Sequence, residues 1–270
     1  MSQPLTILVD NGSLEPAASL ALRELAAKLG EKIKQPVEAV SLLHSSGVPA
    51  DQLGGRVAEI LEPALERRLA AGRNRFFILP LFFGPSGALI EYLPARLAHL
   101  QGRHPGLTAR VAAPLFVTGD DRLARILADH VKAAGRGVSR VALVDHGSPA
   151  RAVTAVRNEL AAQLGKLLGA EYVVAASSME RRDGPEYDFG EPLLAKLLRQ
   201  PGWNDGDVLV AMQFLLPGRH AGPNGDVAGI CRAAEADSGG KLRTRMTALV
   251  AEHPLLVDIL ADRWRTTFSA

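Results

Sequence analysis

Leu8-Val9-Asp10-Asn11-Gly12-Ser13 and Leu143-Val144-Asp145-His146-Gly147-Ser148 differ at a single position and stand 135 residues apart. At the same offset Glu24-Leu25-Ala26-Ala27 recurs as Glu159-Leu160-Ala161-Ala162, and Leu29-Gly30 as Leu164-Gly165. Further on, Ile126-Leu127-Ala128-Asp129 returns as Ile259-Leu260-Ala261-Asp262, at an offset of 133. Matches in the same order at nearly constant spacing mark a tandem duplication. The junction falls in the Gly/Ala-rich stretch 133–137, which predicts an N-terminal repeat over 1–135 and a C-terminal repeat over 136–270.

Within each repeat, short apolar runs alternate with longer segments of helical periodicity. In the first, Leu5–Val9, Val37–Leu43, Phe76–Phe83 and Ala109–Ala113 read as strands. Glu15–Lys34, Val57–Ala71, Leu89–Leu100 and Arg122–Ala134 read as helices, the second closed by Gly72. The second repeats this order, with strands at Val141–Val144, Tyr172–Ala176, Val208–Phe214 and Arg243–Leu249. Its helices are Val153–Leu168, Glu191–Leu198, Val227–Asp237 and Leu255–Thr266. Apolar strands alternating with helices imply parallel sheets covered on both faces. The predicted fold class is therefore α/β, with two similar α/β/α lobes. Ligands on such sheets gather at the carboxyl ends of the strands.

Composition narrows the function. The chain has 270 residues, 47% hydrophobic and 22% charged, which suits two packed cores. A net charge of +2 without a Lys/Arg stripe argues against nucleic acid. The longest apolar run, Phe76 to Phe83, is broken by Pro80 and is far short of a membrane span, and Asp10 and Glu15 stand where a signal peptide would be apolar. A cytoplasmic protein is expected, with no membrane partner. A single cysteine, Cys231, excludes a disulfide framework and cysteine-based zinc motifs.

Chemistry concentrates in the second repeat. The first strand there runs into His146-Gly147-Ser148, where Gly147 permits close backbone approach to a ligand and Ser148 is placed to cap the following helix. The third strand runs into Pro217-Gly218-Arg219-His220. A parallel sheet puts both loops on one rim, so His146 and His220 are expected to converge. Neutral imidazoles suit Co²⁺, Ni²⁺, Fe²⁺ and Zn²⁺, and can also take protons. After the second strand, Glu180 stands on the same rim as a third ligand or proton acceptor; as a loop acid followed by Arg181, Arg182 and Asp183 it is also compatible with a solvated carboxylate. In the first repeat the matching positions are Asn11 for His146, Ala88 for His220 and, with a small shift in register, His44 for Glu180. The histidine pair is missing there, so only the second repeat is expected to work.

On these residues the sequence resembles the class II tetrapyrrole metal chelatases, closest to the sirohydrochlorin cobaltochelatases in their long, two-repeat form. The resemblance rests on Val144-Asp145-His146-Gly147-Ser148, on Glu180, and on Phe214-Leu215-Leu216-Pro217-Gly218-Arg219-His220. The first repeat keeps the surrounding pattern as Leu79-Pro80-Leu81-Phe82-Phe83, then Pro85-Ser86-Gly87 and Pro94. It departs from the family in lacking both histidines in the first repeat and in having Arg219 where glycine is frequent. The resemblance implies two lobes facing each other across a tetrapyrrole cleft, with His146, His220 and Glu180 as metal ligands and catalytic groups. A divalent ion would be the substrate, Co²⁺ expected and Ni²⁺ or Fe²⁺ as alternatives, with no organic cofactor. Arg219, Ser148 and Gly147, with Arg181 and Arg182, would meet the tetrapyrrole, whose carboxylates suit arginine. Phe82, Phe83 and Phe214 would pack on the ring or in the core.

Two other readings compete. One is a tetrapyrrole- or metal-binding protein of the same fold without catalysis. The other is a phosphoryl-transfer or hydrolytic enzyme using His146 as nucleophile. Against the latter, no Walker loop, nucleophile elbow or H-E-x-x-H helix occurs. The sequence does not fix the oligomeric state.

Overall fold

A computed structural model describes residues 3–135 and 137–268. Arg136, at the expected repeat junction, lies outside the described residues. The chain forms two α/β units. The first sheet has strands β1 (Leu5–Asp10), β2 (Val37–Ser41), β3 (Arg75–Pro80) and β4 (Thr108–Val111), in the order β2-β1-β3-β4. The second has β5 (Arg140–Asp145), β6 (Val173–Ser178), β7 (Gly206–Met212) and β8 (Leu242–Met246), in the order β6-β5-β7-β8. Every pairing is parallel. The helices are α1 (Pro16–Ile33), α2 (Leu61–Ala70), α3 (Leu93–Arg103), α4 (Arg122–Ala134), α5 (Arg151–Leu168), α6 (Leu194–Leu197), α7 (Asp226–Asp237) and α8 (Leu255–Phe268). The α/β expectation, with two similar lobes built on parallel sheets, holds. Among the described residues no helix is long and apolar enough to cross a membrane.

The central strands are unbroken apolar runs because helices cover both their faces. Ile7, Leu8 and Val9 in β1, and Val141 to Val144 in β5, are all fully buried. Each sheet has one place where the chain reverses direction across it. In the second unit β5 leads through α5 to β6 on one side, and the chain then crosses back to β7 on the other. The loops leaving β5 and β7 therefore part at their carboxyl ends, which opens a crevice between them.

The compact units do not coincide with the sequence repeats. One comprises residues up to Val117 together with Pro254 onward; the other runs from Thr118 to His253. Helix α4, counted with the first repeat by sequence, packs in the second unit. There its Asp129 faces His253 across 3.4 Å and the Ala134 carbonyl accepts from Arg245. Helix α8 packs in the first unit, where the Trp264 indole donates to Thr6 Oγ1 (3.1 Å) and the Arg263 guanidinium donates to the Pro114 and Leu115 carbonyls. The division at 135/136 thus describes the duplication and not the packing. The connection from α4 to β5 is short, which holds α4 against the sheet whose first strand it precedes.

Several strands end two or three residues earlier than read, and three helices differ for local reasons. The helix expected from Val57 begins at Leu61, because Arg23 gathers the Leu53, Arg56 and Val57 carbonyls and Ile60 bridges to Ser41. The helix expected over Leu89–Leu100 opens as a π-turn, Ala88–Tyr92, before α3. Pro94 has no N–H for the regular ladder, and a wider turn accommodates it. The helix expected over Glu191–Leu198 shrinks to α6, since the Glu191 carboxylate accepts from Leu193 N (3.0 Å) and a 3₁₀ segment occupies Pro185–Gly190.

Candidate metal and tetrapyrrole site

The second unit brings two histidines together at the crevice between β5 and β7. His146 follows β5 and His220 lies in the loop after β7. Their rings meet edge to face with centroids 4.7 Å apart. Two imidazoles far apart in sequence converge because their strands are adjacent and parallel.

Each ring is held through Nδ1. His146 Nδ1 lies 3.0 Å from the Gly147 carbonyl, which accepts only, so the proton sits on Nδ1. His220 Nδ1 lies 2.6 Å from Asp226 Oδ2. Both rings are thereby left with Nε2 as a lone-pair donor. Glu180 leaves β6 on the far side of β5, and its Oε1 is 3.6 Å from His146 Nε2. The structure thus brings His146, His220 and Glu180 to one rim, with the carboxylate beside one imidazole. Among the described residues no three His, Cys, Asp or Glu side chains are grouped as a metal site. The expected set of three ligands is not gathered into one group: the histidines pair with each other, and Glu180 stands beside His146.

Below the rim, a buried chain of polar groups fixes the backbone. Asp145 Oδ1 accepts from Gly147 N (3.1 Å) and from Ser178 Oγ (2.7 Å), and Ser178 Oγ accepts in turn from Arg157 Nη1 (2.5 Å). Burial raises the Asp145 pKa, opposed by the Ser178 hydrogen bond and the Arg157 charge. Arg157, 1% exposed, also donates to the Gly190 carbonyl. Sequence reading missed both Arg157 and Asp226. Arg157 looks like one more charge on an amphipathic helix, and only the Ser178 register reveals its partner. Asp226 carries a local signal, since an acid six residues after His220 opens the next helix.

Gly147 takes φ +92°, and a Cβ there would stand 1.9 Å from the Glu180 carbonyl. Its role is close packing of the two rim loops. Ser148 does not cap α5 as expected: the helix begins at Arg151 without a side-chain cap, and Ser148 Oγ instead accepts from Ala150 N (3.1 Å) to close the preceding turn. Arg219 is exposed and stands 3.6 Å from Asp226. Arg181 is committed elsewhere, to Glu191, Asp188 and the carbonyls of Arg182 and Gly184. Lys196, with Arg181, pulls the Glu191 carboxyl down to about 2. Arg182 is exposed, with its guanidinium 5.9 Å from the Tyr187 ring, and Arg151 lies 4.4 Å from the Phe189 ring. Phe82 and Phe214 pack against the cores of their own units. Cys231 is buried and its thiol is pushed up to about 11, which removes it from chemistry.

The first unit keeps the frame without the site. Asn11 stands where His146 does, and Ala88, at the start of the π-turn, is the strand-counted equivalent of His220. The backbone pairing that joins Glu180 N to the His146 carbonyl recurs as Leu43 N to the Asn11 carbonyl. The counterpart of Glu180 is therefore Leu43, and His44 falls one residue beyond it.

The CbiX family matches residues 5–134, the repeat that lacks the histidine pair. No curated protein matches the chain by sequence. Solved structures are similar along nearly its whole length. SirB from Bacillus subtilis with Fe³⁺ aligns with a TM-score of 0.69 at 17% identity, covering 98% of this chain and 96% of that one. The sirohydrochlorin chelatase SirB from Bacillus subtilis subspecies spizizenii in complex with cobalt gives 0.67 at 17% identity, with 98% and 95% covered. CbiX, described as the terminal enzyme of sirohaem biosynthesis in denitrifying bacteria, gives 0.58 at 19% identity, with 98% and 99% covered. The fold is the one these chelatases share, in its long, two-lobed form. Its first repeat matches the CbiX family.

Proposed function

We propose that the protein inserts a divalent metal into sirohydrochlorin or a closely related tetrapyrrole, with Co²⁺ as the expected ion and Ni²⁺ or Fe²⁺ as alternatives. The meeting of His146 and His220 at the crevice between β5 and β7 carries this reading. Metal insertion must strip water from the ion and remove two pyrrole protons. Two imidazoles presenting Nε2 hold a divalent ion while leaving positions open for ring nitrogens. As the ion passes to the ring, the two freed imidazoles each accept one of the two pyrrole protons at Nε2, and Glu180 beside His146 orients that imidazole or relays its proton. Arg219 and Arg182 are the exposed cations for substrate carboxylates. The likeness to SirB crystallised with Fe³⁺ and with cobalt supports a chelatase of this kind without choosing the ion.

The test is an insertion assay with sirohydrochlorin across Co²⁺, Ni²⁺ and Fe²⁺, followed by the absorption of the metallated ring. His146→Ala and His220→Ala are each expected to lower the rate by on the order of 10²-fold or more with the fold intact. Wild-type rates in both variants would remove the assigned site. Stoichiometric binding of metal and tetrapyrrole without turnover would make the protein a carrier of the same fold.

A further inference from the structure

The two imidazoles are oriented by different means. His146 leans on a backbone carbonyl, which no side-chain substitution removes. His220 depends on a side chain, the Asp226 carboxylate, 2.6 Å from its Nδ1. The loop between them is built to make this contact. Asp226 is the first residue of α7, and the chain from His220 folds back onto that helix start, with Asp226 N donating to the Arg219 carbonyl (3.3 Å) and Val227 N to the His220 carbonyl (3.2 Å). Gly225 permits the approach, since a Cβ there would stand 2.7 Å from both carbonyl oxygens.

The surroundings hold the Asp226 carboxylate in place. A carboxylate in the first turn of a helix interacts favourably with the exposed N–H groups there. Arg219 Nε lies 3.6 Å from the same Oδ2 that meets His220. An ionised carboxylate only accepts, so the imidazole proton is held on Nδ1 and Nε2 is left as the lone pair beside His146. A helix-opening acid without this duty would point to solvent or to its own backbone.

We propose that Asp226 is the positioning residue of the site: it fixes the tautomer and the orientation of His220 so that Nε2 is the atom offered to the metal. The assignment deepens the chelatase reading and rests on it, because it takes His220 as a metal ligand.

Asp226→Asn tests it. Asparagine preserves the size and helix-opening capacity of aspartate, so the melting temperature is expected to stay within about 2 °C of wild type. It replaces the charged acceptor by a neutral group that can also donate, which admits the wrong tautomer. Co²⁺ affinity, titrated with the metal alone through its visible absorption, is expected to fall roughly 10–100-fold, and Asp226→Glu to recover part of the loss. Long-range ¹⁵N correlation spectra of the metal-free protein give an independent readout. His220 is expected as the Nδ1–H tautomer in the wild type and as a mixture in Asp226→Asn. Wild-type Co²⁺ affinity and an unchanged His220 tautomer in Asp226→Asn would overturn the assignment while leaving the chelatase reading in place. A parallel fall in melting temperature and affinity, unrescued by glutamate, would also overturn it, by reducing Asp226 to a helix-start residue. Loss of Co²⁺ binding in His146→Ala but not in His220→Ala would overturn the reading of His220 itself, and the assignment with it.

Discussion

Asp10 and Asp145 are the same residue in two copies of one frame, and a buried cation beside the second is a chief difference between their surroundings. Each ends the first strand of its sheet and faces a serine on the neighbouring strand, Ser41 or Ser178. Arg157 supplies a buried cation to the second, where the first has Leu22 at the matching position. Asp10 has an oxygen without a hydrogen-bond partner, and burial lifts its pKa from 3.8 to about 6, with Ser41 and the Gly12 backbone opposing the rise. A carboxyl whose pKa is raised by folding favours the native state only while protonated. The penalty is absent below about pH 4, grows as pH rises through about 6, and reaches about 3 kcal/mol above it. Asp10→Asn is therefore expected to raise the melting temperature by several degrees at pH 8 and to change it little at pH 4. Equal shifts at both pH values would show that folding does not raise the Asp10 pKa. None of this was legible in the sequence, where the two aspartates sit in nearly identical hexapeptides. What separates them comes from a helix that the hexapeptide does not contain. The histidines were legible, because adjacent parallel strands must deliver their following loops to one edge. Asp226 and Arg157 were not, since each acts through a partner that only folding brings near.

The strand-to-helix turns are the most constrained elements of both units. Gly12 and Gly147 each take a left-handed conformation and pass close to a carbonyl of the neighbouring loop. In Gly147→Ala the added methyl would press on the Glu180 carbonyl and pay the strain of positive φ as well. The expected result is loss of Co²⁺ binding together with destabilisation of about 1–3 kcal/mol, measured by denaturant unfolding. Retained affinity would mean that the rim loops separate without moving His146. Long helices with a clear apolar stripe were readable from spacing alone: α4 was placed at its observed limits and α1 within a residue at each end. Two of the three helix misreadings fall after the second strand of a repeat. There, side chains such as Arg23 and Glu191 take up backbone groups that a helix would have used. Such competition depends on distant partners and leaves no periodicity behind.

The exchange of terminal helices sets what can be cut. A fragment 118–253 contains both histidines, Glu180, Asp226 and the α4 helix that covers its own sheet. A fragment 136–270, cut at the sequence repeat, loses α4 and carries α8, whose partners Thr6 and Leu115 lie outside the fragment. The first is expected to fold and bind Co²⁺, and the second to be unstable; circular dichroism and metal titration on both would decide. The duplication was plain in the sequence, but the exchange was not, because Ile126-Leu127-Ala128-Asp129 and Ile259-Leu260-Ala261-Asp262 are equally fit to cover either sheet. During synthesis this arrangement inverts the usual order. The segment 118–253 is complete once residue 253 has cleared the ribosome, whereas the sheet made first must wait for residues 255–268. The half that bears the histidines closes before the half that was translated ahead of it, and the earlier-made strands stay partly uncovered, open to chaperones and proteases, until the last helix arrives.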